Sequence, residues 1–238
     1  MLKRTCGHAH FRRAGYLVIG LWTALVWAQN TGKSTAPSTG NDQLGVNWIY
    51  GAYVSKDSPL LPLTKNQRMK LYLRQTFTSP GIYVKTGLFS IGDQIANSPP
   101  EWGGGFGGYG RRVASRYGQF VIQNSFSTVG NALLGYEPRY DRCRCSGFWP
   151  RTGHALLRNF VTYDHTETAI RPQFASYGAA LAAGAISSTW KPNTDAWREG
   201  YHSAVTQVGF GMVTNMVGEF AVEIGRIVHR HKDVHSQK

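Results

Sequence analysis

The strongest constraint on the fold of this 238-residue chain is a series of small side chains at helical spacing. Residues three or four positions apart share one face of an α-helix, so small residues at this spacing predict a helix with a nearly flat face for close packing. A second segment, 172–190, is dense in alanine and glycine. The stripe in the first segment consists of Gly110, Ala114, Gly118, Val121, Ser125, Val129 and Ala132.

Other local signals are also helical. The pattern from Thr64 to Gln67 is a capping box, in which each side chain satisfies a free backbone donor of the other residue. In the last segment, four charged residues recur at helical spacing and predict one polar face with ion-pair spacing: Glu219, Glu223, Arg226 and Arg230. We therefore predict an all-α fold, a Gly- and Ala-rich bundle of five or six helices. Beyond the stripe, helices are predicted over 65–78, from Pro80 to before Pro99, and over 150–161, 172–190 and 194–229.

The N-terminus has the pattern of an export signal. A basic segment precedes an uncharged apolar run over 14–27, which ends at the small residue Ala28. An uncleaved anchor is the alternative, although the run is shorter than the roughly 20 residues that span a bilayer. We expect a protein of the periplasm or outer envelope, and association with the membrane is compatible with this location. The predicted organisation is a signal peptide (1–28), a flexible, disordered linker (29–62), a helical domain (63–230) and a basic tail (231–238).

Three uncharged stretches, 117–136, 172–190 and 203–218, approach the length of a membrane span. They contain amide side chains such as Gln119 and Asn131 and have few leucines, which favours central helices of a soluble bundle. A membrane-embedded helical protein is the alternative.

A basic, aromatic region extends from Arg139 to His165. Arginines among aromatic rings are typical of sites for phosphate, carboxylate or acidic glycan. They are equally typical of a loop whose arginines pair with acids, here Glu137, Asp141 and Asp164, and we favour that structural interpretation. The candidate anion-binding residues are Arg111, Arg112, Arg139, Arg142, Arg151 and Arg158.

The net charge of the chain indicates the kind of partner it binds. The chain carries 26 Lys and Arg against 13 Asp and Glu, a formal net charge of +13. Together with export, this indicates an anionic envelope component, lipid or glycan, or a membrane surface. Export and the lack of a recognised module argue against nucleic acid. An oligomer is compatible with the sequence.

Cys143 and Cys145 are separated by one residue. We favour two loop thiols or a local disulfide over a metal site, for which His154 would be a third ligand. The glycines from Gly103 to Gly110 match a dinucleotide fingerprint formally, but Pro99 and Pro100 precede them where a strand is required. We predict no cofactor.

Catalytic candidates are His154, His165 and Asp164. Their spacing partly matches a phosphatase pattern in which one histidine is the nucleophile and another the general acid. The pattern lacks its other members, so we favour a structural or binding role over catalysis. A phosphatase-like envelope hydrolase that uses His154 and His165 is the alternative.

Four motifs together resemble a family of exported bacterial proteins that has no assigned activity. The resemblance covers about residues 63–225. It implies an extracytoplasmic helical domain and supplies no chemistry, and the cysteine pair is a departure from it. The motifs are Glu101-Trp102-Gly103, Gly108-Tyr109-Gly110-Arg111-Arg112, Glu137-Pro138-Arg139-Tyr140 and Phe148-Trp149-x-Arg151-Thr152-Gly153-His154-Ala155.

Overall fold

The computed structural model describes residues 45–47, 49–164 and 169–235, with side chains up to Arg226. The predicted signal peptide, the first part of the predicted linker and His165 lie outside the described residues. The chain divides into two compact units, Gly40–Phe220 and a second composed of Met1–Thr39 and Ala221–Lys238. All of the sites described below belong to Gly40–Phe220.

The all-α prediction is confirmed, with six α-helices in the described part of the chain. The first begins at the predicted capping box, where the Thr64 amide donates to Gln67 Oε1 at 2.9 Å and the Gln67 amide donates to Thr64 Oγ1 at 3.3 Å. A π-helical turn, Arg74–Thr78, extends that helix, so the segment from residue 65 to 78 is helical as predicted. The helices are α1 (Lys65–Leu73), α2 (Pro80–Ile95), α3 (Gly105–Leu133), α4 (Phe148–Phe160), α5 (Phe174–Ser187) and α6 (Ala196–His235).

Helix α3 packs against both α2 and α5. Close contact between α3 and α5 occurs at Gly130, which lies outside the predicted stripe: a Cβ there would lie 3.1 Å from the Cβ of Ala175. Val129, which belongs to the stripe, is 55% exposed. At Gly118 there is room, because a Cβ would lie 4.0 Å from the Trp190 ring. The tighter crossing is between α5 and α6, where a Cβ on Gly184 would lie 2.8 Å from the Cα of Gly200.

Short strands, which we had not predicted, complete the fold. Strands β1 (Val46–Asn47), β2 (Gly51–Val54) and β3 (Tyr140–Asp141) form one sheet, with β1 antiparallel and β3 parallel to β2. Strand β4 (Val161–Asp164) follows α4 directly and pairs antiparallel with β5 (Ala169–Pro172). β1 and β2 lie within the range predicted as linker, so the packed unit begins before Leu63. The reason is burial of Ile49, Ala52 and Val54, an apolar set within a mainly polar segment.

The interior contains few large apolar side chains. Many of its buried hydrophobic residues are alanines of α4 and α5, such as Ala155 and Ala180. Among the described residues, the largest fully buried side chains are charged: Arg112, Arg139, Glu137 and Glu219. Buried charges are stable only when they are paired and hydrogen-bonded, so these four residues indicate where specific contacts hold the fold together.

Within the described ranges, none of the helices has the length and apolar character needed to cross a bilayer.

Candidate functional site

The predicted basic region folds around β3. The sheet holds β3 beside β2, with Tyr53 opposite Tyr140 and Val54 opposite Asp141. Gly147, at φ +91°, then turns the chain into α4, a backbone conformation that favours glycine. This arrangement places four of the six candidate arginines, Arg139, Arg142, Arg151 and Arg158, around one strand.

Arg139 forms a fully buried ion pair with Glu137. Its Nε lies 2.6 Å from Glu137 Oε1, and its Nη2 donates to Glu137 Oε2 at 2.9 Å and to the Leu61 carbonyl at 2.6 Å. The Arg139 amide also donates to Glu137 Oε1. A guanidinium engaged in this way is a structural tie between β3 and the segment before α1, and it presents no surface to an external anion.

Arg158 projects from α4 towards the same strand. Its Nε donates to Asp141 Oδ1 at 2.5 Å, and further donors reach the carbonyl oxygens of Val161 and Arg139. The side chain is 4% exposed. Pairing of Arg139 with Glu137 and of Arg158 with Asp141 confirms the structural interpretation of the basic region for these two arginines.

Arg151 pairs with a carboxylate that the sequence analysis did not include in the site. Its Nε donates to Glu219 Oε1 at 2.9 Å, and a second guanidinium nitrogen donates to the Glu219 carbonyl. Glu219 is 1% exposed and also accepts from the Tyr140 hydroxyl at 2.7 Å and the Cys143 amide at 3.1 Å. We had expected Glu219 on a polar helix face with its i, i+4 neighbours; it is buried instead because three donors from distant segments converge on it.

The buried surroundings of Tyr140 favour the neutral form of its hydroxyl. Burial, followed by the hydrogen bond to Glu219, raises the pKa of the Tyr140 hydroxyl well above its usual range. The phenol therefore stays a neutral donor to a charged carboxylate. Three ion pairs, which we call the arginine–carboxylate network, lie in this region: Arg139–Glu137, Arg158–Asp141 and Arg151–Glu219.

Arg142 interacts with tyrosines. Its guanidinium carbon lies 4.8 Å from the ring centroid of Tyr53 and 5.5 Å from that of Tyr50, and Nη2 donates to the Tyr50 hydroxyl at 2.8 Å. Burial raises the pKa of Tyr50 to about 12, against the opposing effect of the Arg142 charge. Arg142 thus fastens the strand pair β2–β3.

Arg111 and Arg112 lie at the start of α3. Arg111 is exposed. Arg112 is buried, and its donors reach the carbonyls of Ser98, Pro99 and Gly103 and the Gln94 Oε1 at 2.6–2.9 Å. Arg112 therefore holds the glycine-rich turn closed, where we had predicted an anion site. A 3₁₀ turn, Pro100–Trp102, precedes that turn, in place of the strand that a dinucleotide fingerprint requires.

Two of the three candidate catalytic residues, His154 and Asp164, line a cavity of about 520 Å³. His154 Nε2 lies 2.8 Å from the Asp141 carbonyl oxygen and 3.7 Å from Asp141 Oδ2. Asp164 lines the same cavity, and its Oδ2 lies 3.5 Å from Arg171 Nε. His154 is thus held beside the carbonyl and the carboxylate of Asp141, and its predicted partner His165 lies outside the described residues.

Cys143 and Cys145 form a disulfide, with their Cα atoms 5.2 Å apart. We had favoured either two loop thiols or a local disulfide, and the structure contains the disulfide. Within the described segments, no three His, Cys, Asp or Glu side chains are grouped as metal ligands would be. The bonded sulfurs leave no thiolate pair to join His154 as a ligand set.

The outer surface of α4 is the unusual feature of this region. The network draws Arg151, His154 and Arg158 inwards, and the opposite side of the helix is exposed. Trp149 is 78% exposed and Leu157 54%. We call the exposed set the α4 apolar face; it consists of Trp149, Leu156, Leu157 and Phe160.

No protein-family model, curated protein or solved structure matches this chain.

Proposed function

We propose that this protein is an exported binding protein of the cell envelope that docks on an anionic lipid surface through the α4 apolar face. The observation that carries the proposal is the reversed polarity of α4, which buries its charged side and exposes its apolar side. In a globular helix the apolar stripe normally faces the core. A large exposed apolar stripe is typical of a surface that meets a membrane or another molecule.

The reversal has a physical cause within the chain. Turning α4 over would bury Trp149 and Leu157 but would remove Arg151 and Arg158 from their carboxylates. Glu219 and Asp141 would then lack their cation partners, and breaking a buried pair costs about 3–5 kcal/mol. The arginine–carboxylate network therefore keeps the apolar side of α4 outwards.

The apolar surface continues beyond α4. Ile170 on β5 is exposed, and so is Phe174 at the start of α5. Phe160 stacks on Tyr177 of α5, with ring centroids 6.4 Å apart, so α4 and α5 meet at this end. The surface thus includes side chains from three elements and is suited to lie along an interface.

Charge supports an anionic bilayer as the occupant. Arg144 is exposed and lies just before the N-terminus of α4. Arg171 pairs in register with Thr162, directly after the C-terminus of α4, and its side chain is 40% exposed. An interfacial helix with its apolar face in the acyl boundary gains about 1 kcal/mol for each Lys or Arg near anionic headgroups.

The apolar residues and the arginines of the basic, aromatic region have different roles in this proposal. The aromatic and aliphatic residues would contact the envelope component, while Arg139, Arg151 and Arg158 hold the helix in position. Contact with headgroups would come from Arg144 and Arg171 at the two ends.

Vesicle co-sedimentation tests this function. The protein as isolated from the producing cells is mixed with vesicles of phosphatidylethanolamine and phosphatidylglycerol, and with vesicles of phosphatidylcholine alone. We expect binding to the anionic vesicles that the double change Trp149→Ser, Leu157→Ser weakens by at least about tenfold, since each buried side chain contributes roughly 1.5–3 kcal/mol. Phe106→Ser is the matched control, because Phe106 is 96% exposed and lies outside α4; its binding stays unchanged.

Three results would contradict the proposal. One is equal binding of the double variant and the Phe106→Ser control. Another is a dimer, measured by light scattering, that the double variant dissociates, which would assign the face to a second copy of the chain. The third is tight binding to polygalacturonate with none to vesicles, which would assign it to an acidic glycan.

Hydrolysis is a second candidate, favoured by the position of His154 and Asp164 at one cavity of about 520 Å³. His154 Nε2 lies 3.7 Å from Asp141 Oδ2, and a histidine beside a carboxylate has the arrangement of a general base. A screen with phosphate and acyl esters, on the native protein and on His154→Ala, tests it. Turnover that this variant loses while it remains folded would replace the docking role with an enzymatic one.

A further inference from the structure

A second cavity, of about 580 Å³, lies between α2, α3 and α6, with the turn that joins α5 and α6 at its edge. Its volume is in the range of small-molecule sites. Neither the network nor the α4 apolar face contributes to it. Its lining combines amide and hydroxyl side chains with aromatic rings, among them Gln123, Gln207 and Phe210.

Lys85 of α2 lines this cavity, and no carboxylate of the described residues pairs with it. Its Nζ lies 5.1 Å from the ring centroid of Phe210 on α6, its one specific contact to a described side chain. The two carboxylates of the cavity are already engaged, Asp93 with Arg116 and Glu199 with Lys191, at 2.6 Å in each case. Lys85 is therefore a cation whose charge the described residues do not compensate.

Other groups that line the cavity can recognise hydroxyl groups. Gln123 Nε2 donates to Gln207 Oε1 at 2.7 Å, which leaves the Gln123 oxygen and the Gln207 amide nitrogen to bind a ligand. Phe89 and Phe210 form an edge-to-face pair with centroids 5.6 Å apart, beside the lysine. Amide groups can bind hydroxyls, an aromatic ring can pack against the apolar side of a sugar ring, and a cation can bind an acid group. Together these groups suit a sugar that carries an acid group.

From this geometry we propose that the cavity binds a small anionic sugar, with its carboxylate or phosphate on Lys85 and its hydroxyl groups on Gln123 and Gln207. A uronic acid and a sugar phosphate share this chemistry. This site is independent of the membrane-docking role, because it lies on different helices.

The ionisation of Lys85 predicts how the affinity for an anion depends on pH. Burial lowers the pKa of its ammonium group from 10.5 to about 8. A bound anion stabilises the charged form, so anion affinity should fall as pH rises above about 8. The other titratable groups that line the cavity are Asp93, Arg112, Arg116, Lys191, Glu199 and His202.

Calorimetric titration tests the site. Glucuronate, glucose 6-phosphate, glucose and inorganic phosphate are titrated into the whole protein and into Lys85→Met, which keeps the length of the side chain and removes its charge. We expect one of the two anionic sugars to bind at least about tenfold more tightly than glucose, and Lys85→Met to remove that difference. Lys70→Met, at an exposed position of α1, is the matched control and leaves binding unchanged.

The proposal fails if neither anionic sugar binds, or if Lys85→Met binds both as tightly as the native protein. Equal affinity for inorganic phosphate and glucose 6-phosphate would overturn the assignment to a sugar. Affinity for the anionic sugar that stays constant from about pH 7 to about pH 10 would overturn the role of the Lys85 charge. A melting curve for Lys85→Met at or above that of the native protein establishes that loss of binding is not loss of fold.

Discussion

The guanidinium of Arg151 lies 2.9 Å from the carboxylate of Glu219, and this pair joins α4 to α6 across 68 positions of the chain. The carboxylate is 1% exposed, while the arginine keeps partial contact with solvent. The pair therefore sets which side of α4 faces inwards. It connects the interior of the protein to the surface that we propose docks on lipid.

Removal of the Glu219 charge should destabilise the protein. Glu219→Gln leaves the Arg151 cation without its carboxylate and weakens the bond from Tyr140, for an expected loss of roughly 2–3 kcal/mol in the free energy of unfolding. Glu101→Gln, at an exposed position, is the control and should change it by less than about 0.5 kcal/mol. Urea unfolding followed by circular dichroism measures both. Equal midpoints for the two variants would mean that the buried pair contributes nothing to stability.

Substitution by alanine should lower the stability of the protein at Gly184 and raise it at Gly118. Gly184→Ala brings a methyl group against the backbone of α6 and should cost about 1–3 kcal/mol. Gly118→Ala places it in ordinary contact with Trp190 and should stabilise α3 by about 0.5–1 kcal/mol, because alanine favours a helix over glycine. Thermal unfolding of both variants checks the signs. A lower melting temperature for Gly118→Ala would place the tight crossing at α3 instead.

Lys85 should make stability depend on pH between about 8 and 10. Its pKa is lower in the folded protein, so the unfolded chain binds more protons in this window and the free energy of unfolding rises with pH. Lys85→Met should be more stable than the native protein at pH 7, by up to about 3 kcal/mol, and the difference should shrink towards pH 10. Above about pH 10, Tyr50 lowers the free energy of unfolding as pH rises, because its raised pKa keeps the phenol protonated in the folded protein. A constant difference between the two proteins across the window would contradict this account.

The export signal remains a prediction on residues outside those that the structure describes. If cleavage follows Ala28, mass spectrometry of the protein from the envelope fraction should find Gln29 at or near its N-terminus. An intact Met1 in that fraction would favour the uncleaved anchor. Washing the membranes with salt and then with carbonate separates surface docking from anchoring, because docking through charge is sensitive to salt.

Local sequence determined most of the helices of this protein. Three signals act within a few positions of the chain: the capping box at Thr64, Pro80 at the start of α2, and the three-to-four spacing of small residues in α3. Local signals of this kind were therefore sufficient to locate these elements. The pairing of Arg139 with Glu137, two positions apart, was accessible for the same reason. The disulfide between Cys143 and Cys145 is also local, although the sequence left it as one of two interpretations.

Only the tertiary structure decided the orientation of α4, the burial of Glu219 and the strands around β3. The alternation of polar and apolar residues in α4 is the same whichever side faces inwards, and an amphipathic pattern normally indicates an apolar side in the core. Here, carboxylates from distant segments bind the arginines of α4, and the cost of leaving them unpaired exceeds the gain from burying Trp149 and Leu157. Pairings over such distances leave no periodic signal, which is why the sequence located the helix and not the surface it presents.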